Sequence, residues 1–276
     1  MHRGGAGHRL VARRRLTSER TDQWVSTSAS TGKWPRSPST CPPVNAITLA
    51  NYAEIGEAFD AADSWQGINC VLFTGAGARA FCAGLDLKEF LAATVEEDPA
   101  RARIVRRCFK SIRDCALPTI AAVNGPALGA GTVLASVCDI RLASETAKFG
   151  MPEINVGRCG GASHMGRHLP QGMLRKMFFT GEPIDAAEAY RFGFVQEVLA
   201  PEALMGAARA LAAKVAEKSP LGLRLGKQAL NQIEFLPVDE GYQIEQQFST
   251  ILMKTEDARE ATAAAVEKRK PVWKGR

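Results

Sequence analysis

The chain has 276 residues and is 46% hydrophobic, enough for one or two domains with a sizeable core. It holds no run of 18 apolar residues, which argues against a transmembrane helix. The net charge of +6 arises in residues 1–40, where seven Arg and one Lys face only Glu19 and Asp22; residues 41–276 balance at zero, so no basic body suited to nucleic acid or a membrane surface is expected.

Residues 1–40 show no sustained apolar period and are rich in Arg, Ser, Thr and Gly. They read as a disordered tail or an upstream stretch outside the fold. The alternative is a mitochondrial transit peptide; the apolar core of a secretory signal is absent. Residues 45–63 place Ile47, Ile55, Ala58, Phe59 and Ala62 on one helical face. Residues 68–74 (INCVLFT) read as a buried strand. Residues 81–90 turn from loop into helix. Asp98-Pro99 opens another helix, with Asp98 as its cap, whose apolar side carries Ile104, Val105, Cys108, Phe109 and Ile112. The opposite side carries Arg101, Arg103, Arg106, Arg107 and Lys110, a pattern usual for a solvated face.

Two further strands are expected at residues 118–124 and 138–143. The glycine-rich segment 129–137 between them is too small-sided for a surface helix and should be buried. Helices follow at 173–179 and 185–192, the latter capped by Asp185, and a last strand at 194–199. The pattern is then helical to the end, over 201–218, 221–233, 238–253 and 256–270. An α/β body (41–200) followed by a helical region (201–276) is the expected organisation.

Seven scattered cysteines (Cys41, Cys70, Cys82, Cys108, Cys115, Cys138, Cys159) with no CxxC pair indicate free thiols in a reducing compartment, with no disulfide framework or metal site. The cytoplasm fits, or the mitochondrial matrix if residues 1–40 form a transit peptide. Gly75-x-Gly77-x-x-Ala80 after a strand, with Glu96 and Glu97 about 20 residues on, matches a dinucleotide fingerprint locally. However, residues 81–84 intervene before any helix, and the acids end a helix, so a NAD-dependent oxidoreductase is a remote alternative. No GxSxG elbow exists for a serine hydrolase. The histidines (His2, His8, His164, His168) lack the HExxH context of a zinc site.

Five segments, FCAGLDLKEF (81–90), PTIAAVNGPALGAG (118–131), CDIRLAS (138–144), FGMPEINVG (149–157) and TGEPIDAAEAYRFGFVQEVL (180–199), resemble the crotonase superfamily, which includes enoyl-CoA hydratases and isomerases. The likeness covers residues 42–276 in matching order and spacing. It implies a spiral of ββα units, a helical C-terminal trimerisation region and an acyl-CoA thioester substrate. It also implies a homotrimer or dimer of trimers, with coenzyme A as part of the substrate and no separate cofactor.

Carried over by motif, the backbone N–H groups of Leu85 and Ala130 would form an oxyanion hole, with Ala83, Gly84, Asp86, Gly129 and Gly131 shaping it. Ala130 stands where glycine is more usual, so a helical φ is expected there. Glu153 would be the catalytic acid/base, partly desolvated and with a raised pKa. The second glutamate of the hydratases falls on Val133, which cannot move a proton. One carboxylate suits double-bond isomerisation, or a specialised lyase reaction through an enolate, better than two-glutamate hydration; a non-catalytic acyl-CoA binder is the other alternative. His164 stands where the family has a small or polar residue and would supply part of the missing function or read the acyl group. Lys88 and Lys268 would meet the phosphates of coenzyme A. Residues 24–41 do not resemble the family's opening hairpin, so the sheet could lack two strands.

Overall fold

Short apolar runs become strands and amphipathic stretches become helices along most of this chain, and the order in which they alternate builds the fold. A computed structural model describes residues 25–26, 44–65 and 67–276. β1 (Val25–Ser26) is followed by β2 (Ala46–Ile47) and α1 (Leu49–Ala61). β3 (Val71–Thr74), β4 (Gly84–Leu85), α2 (Leu87–Ala92) and α3 (Asp98–Asp114) come next. β5 (Thr119–Val123), β6 (Ala127–Leu128) and α4 (Ala130–Ser136) repeat the pattern. So do β7 (Ile140–Ser144), β8 (Lys148–Gly150), a 3-10 turn (Pro152–Val156), α5 (Ala162–Met165) and α6 (Gln171–Thr180). β9 (Ile184–Asp185), α7 (Ala186–Arg191) and β10 (Glu197–Leu199) close this part. Helices α8 (Pro201–Ala216), α9 (Pro220–Ile233), α10 (Val238–Met253) and α11 (Glu256–Val266) complete the chain.

From β2 to β8 the strands go alternately to short sheets and to one five-stranded sheet of order β1-β3-β5-β7-β10. In that sheet β3, β5, β7 and β10 are parallel, with Leu72 opposite Ile120 and Ala122 opposite Leu142. β4 pairs with β2, while β6 pairs with β8 and β8 with β9. Each turn of the chain is thus a strand in the main sheet, a strand in a short one, and then helix: a spiral of ββα units with a helical C-terminal region. Residues of the main strands are buried on both sides. Val71, Phe73, Ala121 and Val123 face the larger apolar cluster; Cys70, Leu72, Ile120 and Ala122 face a second, covered by Leu204, Ala208 and Ala212 of α8. Buried Lys227 pins α9 to the sheet by donating to Leu117 O (3.0 Å) and pairing with Asp139 (2.8 Å).

Several boundaries differ from the sequence reading. Ala46 and Ile47 are strand, not helix, because Thr48 caps α1. Its hydroxyl accepts from Asn51 N–H, and Asn51 Oδ1 accepts from Thr48 N–H (3.0 Å). Asp98 does not cap α3; Glu97 holds that position without a side-chain cap bond, and Asp98 pairs with Arg158. Asp185 does cap α7, with a reciprocal bond from Glu188. The last strand starts at Glu197, because Phe194 and Val195 N–H still bond Ala189 O. The expected gap of two strands is partly filled: β1 pairs antiparallel with β3, Val25 opposite Phe73. The rest of residues 1–43, including the expected tail, lies outside the described residues.

No helix opens at Gly75 and Gly77. Asn124 donates to Gly75 O (3.1 Å) and Gly77 O (2.7 Å), and Asn45 donates to Ala76 O (2.9 Å) and Ala80 O (2.8 Å). A Cβ on Gly75 would lie 2.5 Å from Phe81 Cα. Gly75 serves a tight passage of the chain, and Gly77 a turn at φ +65°. Among the described residues no helix is long and apolar enough to cross a membrane, and no cluster of His, Cys, Asp and Glu could hold a metal ion.

The tightest backbone approach is at Gly131 in α4, where a Cβ would stand 2.1 Å from Cys82 O. Gly131→Ala should cost about 3 kcal/mol of stability or prevent folding, because the clash is with backbone and cannot be relieved by a rotamer change. Urea denaturation of the two proteins would show it; equal midpoints would contradict the packing.

Candidate functional site

Two backbone segments, 81–85 and 127–131, run against each other. Cys82 bridges to Ala127, and Leu128 N–H donates to Cys82 O (2.9 Å). Gly84 has φ +97°, and a Cβ there would meet Leu128 O at 2.9 Å and Ala130 N at 3.9 Å. Only glycine fits both the angle and the gap. The first residues of β4 and of α4 therefore lie side by side. Ala83 is held by its N–H to Val44 O (3.1 Å), and Leu85 pairs with Ile47 across the short sheet. Asp86 caps α2, accepting from Lys88 N–H (2.9 Å) and Glu89 N–H (2.8 Å).

Gly129 takes the positive φ (+53°), and Ala130 starts α4 in helical conformation, as expected for an alanine there. The Ala130 amide lies in the first turn, where no carbonyl of its own helix can reach it. Thr132, fully buried, fixes the start of this helix: its hydroxyl donates to Ala127 O (2.6 Å) or Gly150 O (2.8 Å) and accepts from Gly150 N–H (3.1 Å). Sequence reading missed Thr132; the signal was a hydroxyl inside a segment otherwise small and apolar.

Glu153 comes to this place from the 3-10 turn after β8. A Cβ on Gly129 would lie 2.9 Å from Glu153 Oε1, so the carboxylate sits directly over the glycine that precedes Ala130. Glu153 Oε2 is sealed from solvent and has no hydrogen-bond partner among the described residues. Burial pushes its pKa above the ordinary carboxylate value, against a smaller opposing effect of its own backbone N–H. Arg158 steadies the turn. Its N–H donates to Glu153 O (2.9 Å), its guanidinium lies over Phe90 of α2 (4.2 Å) and it pairs with Asp98 of α3 (3.0 Å). This second missed residue was masked in the sequence by an unremarkable loop composition.

Val133 is buried on α4 and turns toward Gly161, where a Cβ would stand 2.7 Å from Val133 Cγ2. His164, on α5, packs edge-on against Phe109 of α3 (5.3 Å between ring centres). Burial, and then Arg167 and Arg113, lower its pKa, so it is neutral at pH 7. His168 is separate: its Nε2 meets Ser136 O at 2.9 Å, and burial pushes its pKa down to about 4. The structure thus brings Gly84 beside Ala130, and Glu153 beside Gly129, while Ala83 and Asp86 are held by Val44 and by the start of α2. Lys88 projects from α2 with an exposed side chain. Lys268 lies beyond α11 at φ +54°, exposed, and none of its described bonds reaches the group around Glu153.

The chain is similar to known proteins over most of its length. A family model described as enoyl-CoA hydratase/isomerase matches residues 40–276. A short-chain-enoyl-CoA hydratase of Clostridium acetobutylicum is 34% identical over 230 residues, which cover 82% of this chain and 88% of that protein. A 2,3-dehydroadipyl-CoA hydratase of Escherichia coli is 37% identical over 239 residues, covering 84% and 91%. The crystal structure of an enoyl-CoA hydratase from Bacillus anthracis superposes with a TM-score of 0.81 at 33% identity, over 84% of this chain and 92% of that one.

The partly desolvated Glu153 carboxylate has a consequence for stability. A glutamate whose folded pKa is raised binds its proton more tightly in the native state, so stability falls as pH rises from about 4.3 through the raised value. Glu153→Gln removes that slope. The variant should match wild type at pH 4 and exceed it at pH 8 in urea midpoint; a variant less stable at pH 8 would contradict the effect of burial.

Proposed function

The chain belongs to the enoyl-CoA hydratase/isomerase family and is an acyl-CoA enzyme, and from that premise we propose that it moves a proton along an enoyl-CoA through a thioester enolate. The amides of Leu85 and Ala130 hold the thioester oxygen as negative charge develops on it. The Glu153 carboxylate removes a proton from one carbon next to the double bond and returns it to another, so no water and no second acid is consumed. The observation that carries this reading is the half-buried Glu153 carboxylate over Gly129, with one oxygen sealed and unpartnered among the described residues. A carboxylate so desolvated is a stronger base than one in water and suits transfer between carbons. Val133 supplies an apolar wall where a two-carboxylate mechanism needs an acid. His164, neutral and at the edge of Phe109, contributes a polar contact to the acyl group.

The relatives named above are hydratases, which favours a second reading, addition of water in a lyase reaction with Glu153 as the sole carboxylate. Both readings use coenzyme A only as part of the substrate, with Lys88 and Lys268 directed to its phosphates. The cytoplasm suits the six described free thiols, five of them buried. We further assign the chain to a homotrimer or dimer of trimers, with no nucleic-acid or membrane partner. Phe235, Val238, Tyr242 and Met253 leave large apolar surface open on and before α10, more than an isolated copy would keep in water.

Turnover of 2-enoyl- and 3-enoyl-CoA series, with products identified by position of the double bond or hydroxyl, separates the readings. Isomerisation predicts conversion of 3-enoyl to 2-enoyl thioesters with no hydroxyacyl product. Glu153→Gln should lower turnover at least about 10²-fold while thioester binding persists; equal activity would leave only a binding protein. A His164→Ala enzyme at full rate would remove His164 from the site. Sedimentation should give three or six copies, and Tyr242→Asp should shift the population toward monomer; an unchanged mass for the variant would place the interface elsewhere.

A further inference from the structure

Thr132, on α4, is fully buried, and its hydroxyl reaches out of its own helix. A hydroxyl inside a helix ordinarily bonds a carbonyl three or four residues back, as Ser136 does with Val133 O (2.7 Å). Thr132 instead meets Ala127 O (2.6 Å), five residues back in β6, and the O and N–H of Gly150 in β8 (2.8 and 3.1 Å). Its polar contacts therefore lie on two strands that pair in parallel, with Leu128 opposite Gly150. The groups assigned to the reaction leave from these contacts: Ala130 comes three residues after Ala127, and Glu153 three residues after Gly150. Ala127 is also bridged to Cys82, in the segment that leads to Leu85. Between the two anchors, Gly129 donates its N–H to Gly150 O (2.9 Å) and leaves the room that Glu153 Oε1 takes. Glu153 Oε2 has no hydrogen-bond partner among the described residues, so the backbone that carries the carboxylate, and not a bond at that atom, sets its place.

We propose that Thr132 is a positioning residue of the reaction: its hydroxyl joins the strands that carry the Ala130 amide and the Glu153 carboxylate and so fixes the distance between them. It is sealed from solvent, touches no substrate and transfers no proton. An oxyanion donor and a base on separate segments act on one thioester only if their separation is held, and a displacement of about 1 Å can cost about 10²-fold in rate. This inference rests on the acyl-CoA reading above.

Thr132→Val keeps the shape of the side chain and removes the hydroxyl, Thr132→Ser keeps the hydroxyl, and Thr132→Ala is a second hydroxyl-free variant should the valine chain fail to fold. Turnover of 2-enoyl- and 3-enoyl-CoA, per folded molecule, and calorimetric binding of butyryl-CoA are measured for each. The hydroxyl-free variants should lose about 10- to 100-fold in kcat while butyryl-CoA binding stays within about twofold, and the serine variant should stay within about threefold of wild type. Wild-type kcat without the hydroxyl overturns the assignment. So does a loss that serine fails to restore, or one matched by an equal loss of butyryl-CoA binding. A second arm needs no thioester. At pH 8, Glu153→Gln should raise the urea midpoint less in the hydroxyl-free background than in wild type, because a loosened turn lets the carboxylate reach water. An equal rise in both backgrounds overturns the role of Thr132 in placing Glu153. Wild type that neither binds butyryl-CoA nor turns over either series overturns instead the acyl-CoA reading, and the second arm still decides for or against Thr132.

Discussion

The contact of backbone with backbone between residues 81–85 and 127–131 is the constraint from which the site follows. Side chains are excluded there by distance: Gly84 faces Leu128 O, and Gly131 faces Cys82 O. Because nothing larger than hydrogen fits, the starts of β4 and α4 come within a few ångströms of each other. The same exclusion buries α4 on all sides, which is why it carries only small and apolar residues apart from hydroxyls that bond backbone carbonyls: Thr132 to Ala127 and Gly150, Ser136 to Val133. Gly129 adds a third consequence. Its missing Cβ leaves the place that the Glu153 carboxylate takes. The starts of β4 and α4 and the Glu153 carboxylate thus come together at three glycines, with the Thr132 hydroxyl fixing the start of α4 from within.

The spiral holds those glycines in register. Strands β3, β5 and β7 run parallel, and each is followed by a short strand that leaves the main sheet. The short pairings β2–β4 and β6–β8 therefore stack the loop ends that bear the site, with Cys82 and Ala127 bridging between them. The C-terminal helices act from the other side. Lys227 of α9 reaches the start of β5 through Leu117 O and Asp139, and Asp139 in turn accepts from Thr119 N–H and its hydroxyl. Only the Lys227 end of this pair is buried; Asp139 keeps contact with solvent, so the lysine leaves water with a carboxylate and a carbonyl to hold its charge.

Much of this was legible in the chain because the main strands and helices carry strong periods. Residues 68–74, 118–124 and the helices from 201 onward fall within a few residues of where pattern placed them. The glycines and Glu153 were legible through their motifs, and the helical conformation of Ala130 through the cost of a positive φ in alanine. The failures have a common physical origin: they occur where a tertiary partner decides. Ala46 and Ile47 satisfy a helical period, yet Gly84 and Leu85 take them as strand partners. Asp98 has the right chemistry for a cap, yet Arg158, 60 residues away in sequence, takes its carboxylate. No rule of spacing detects a partner contributed by another part of the fold.

Val133 then has a structural as well as a chemical meaning. It is packed toward Gly161, whose own φ of +76° admits glycine most easily, and a Cβ at either Gly161 or a longer branch at Val133 would compete for the same volume. The apolar residue on α4 and the glycine pair before α5 are therefore one packing solution. A glutamate at 133 would demand both room and a partner for a second charge in a region where Glu153 already has one oxygen without any. Two carboxylates sharing a desolvated pocket raise each other's pKa and cannot both ionise. With a single carboxylate beside Gly129 there is one titrating acid, its pKa raised by burial against a smaller opposing effect of its own backbone N–H, and any remaining polar contact is left to neutral groups. His164 is of that kind, an imidazole held neutral by burial and by Arg167 and Arg113.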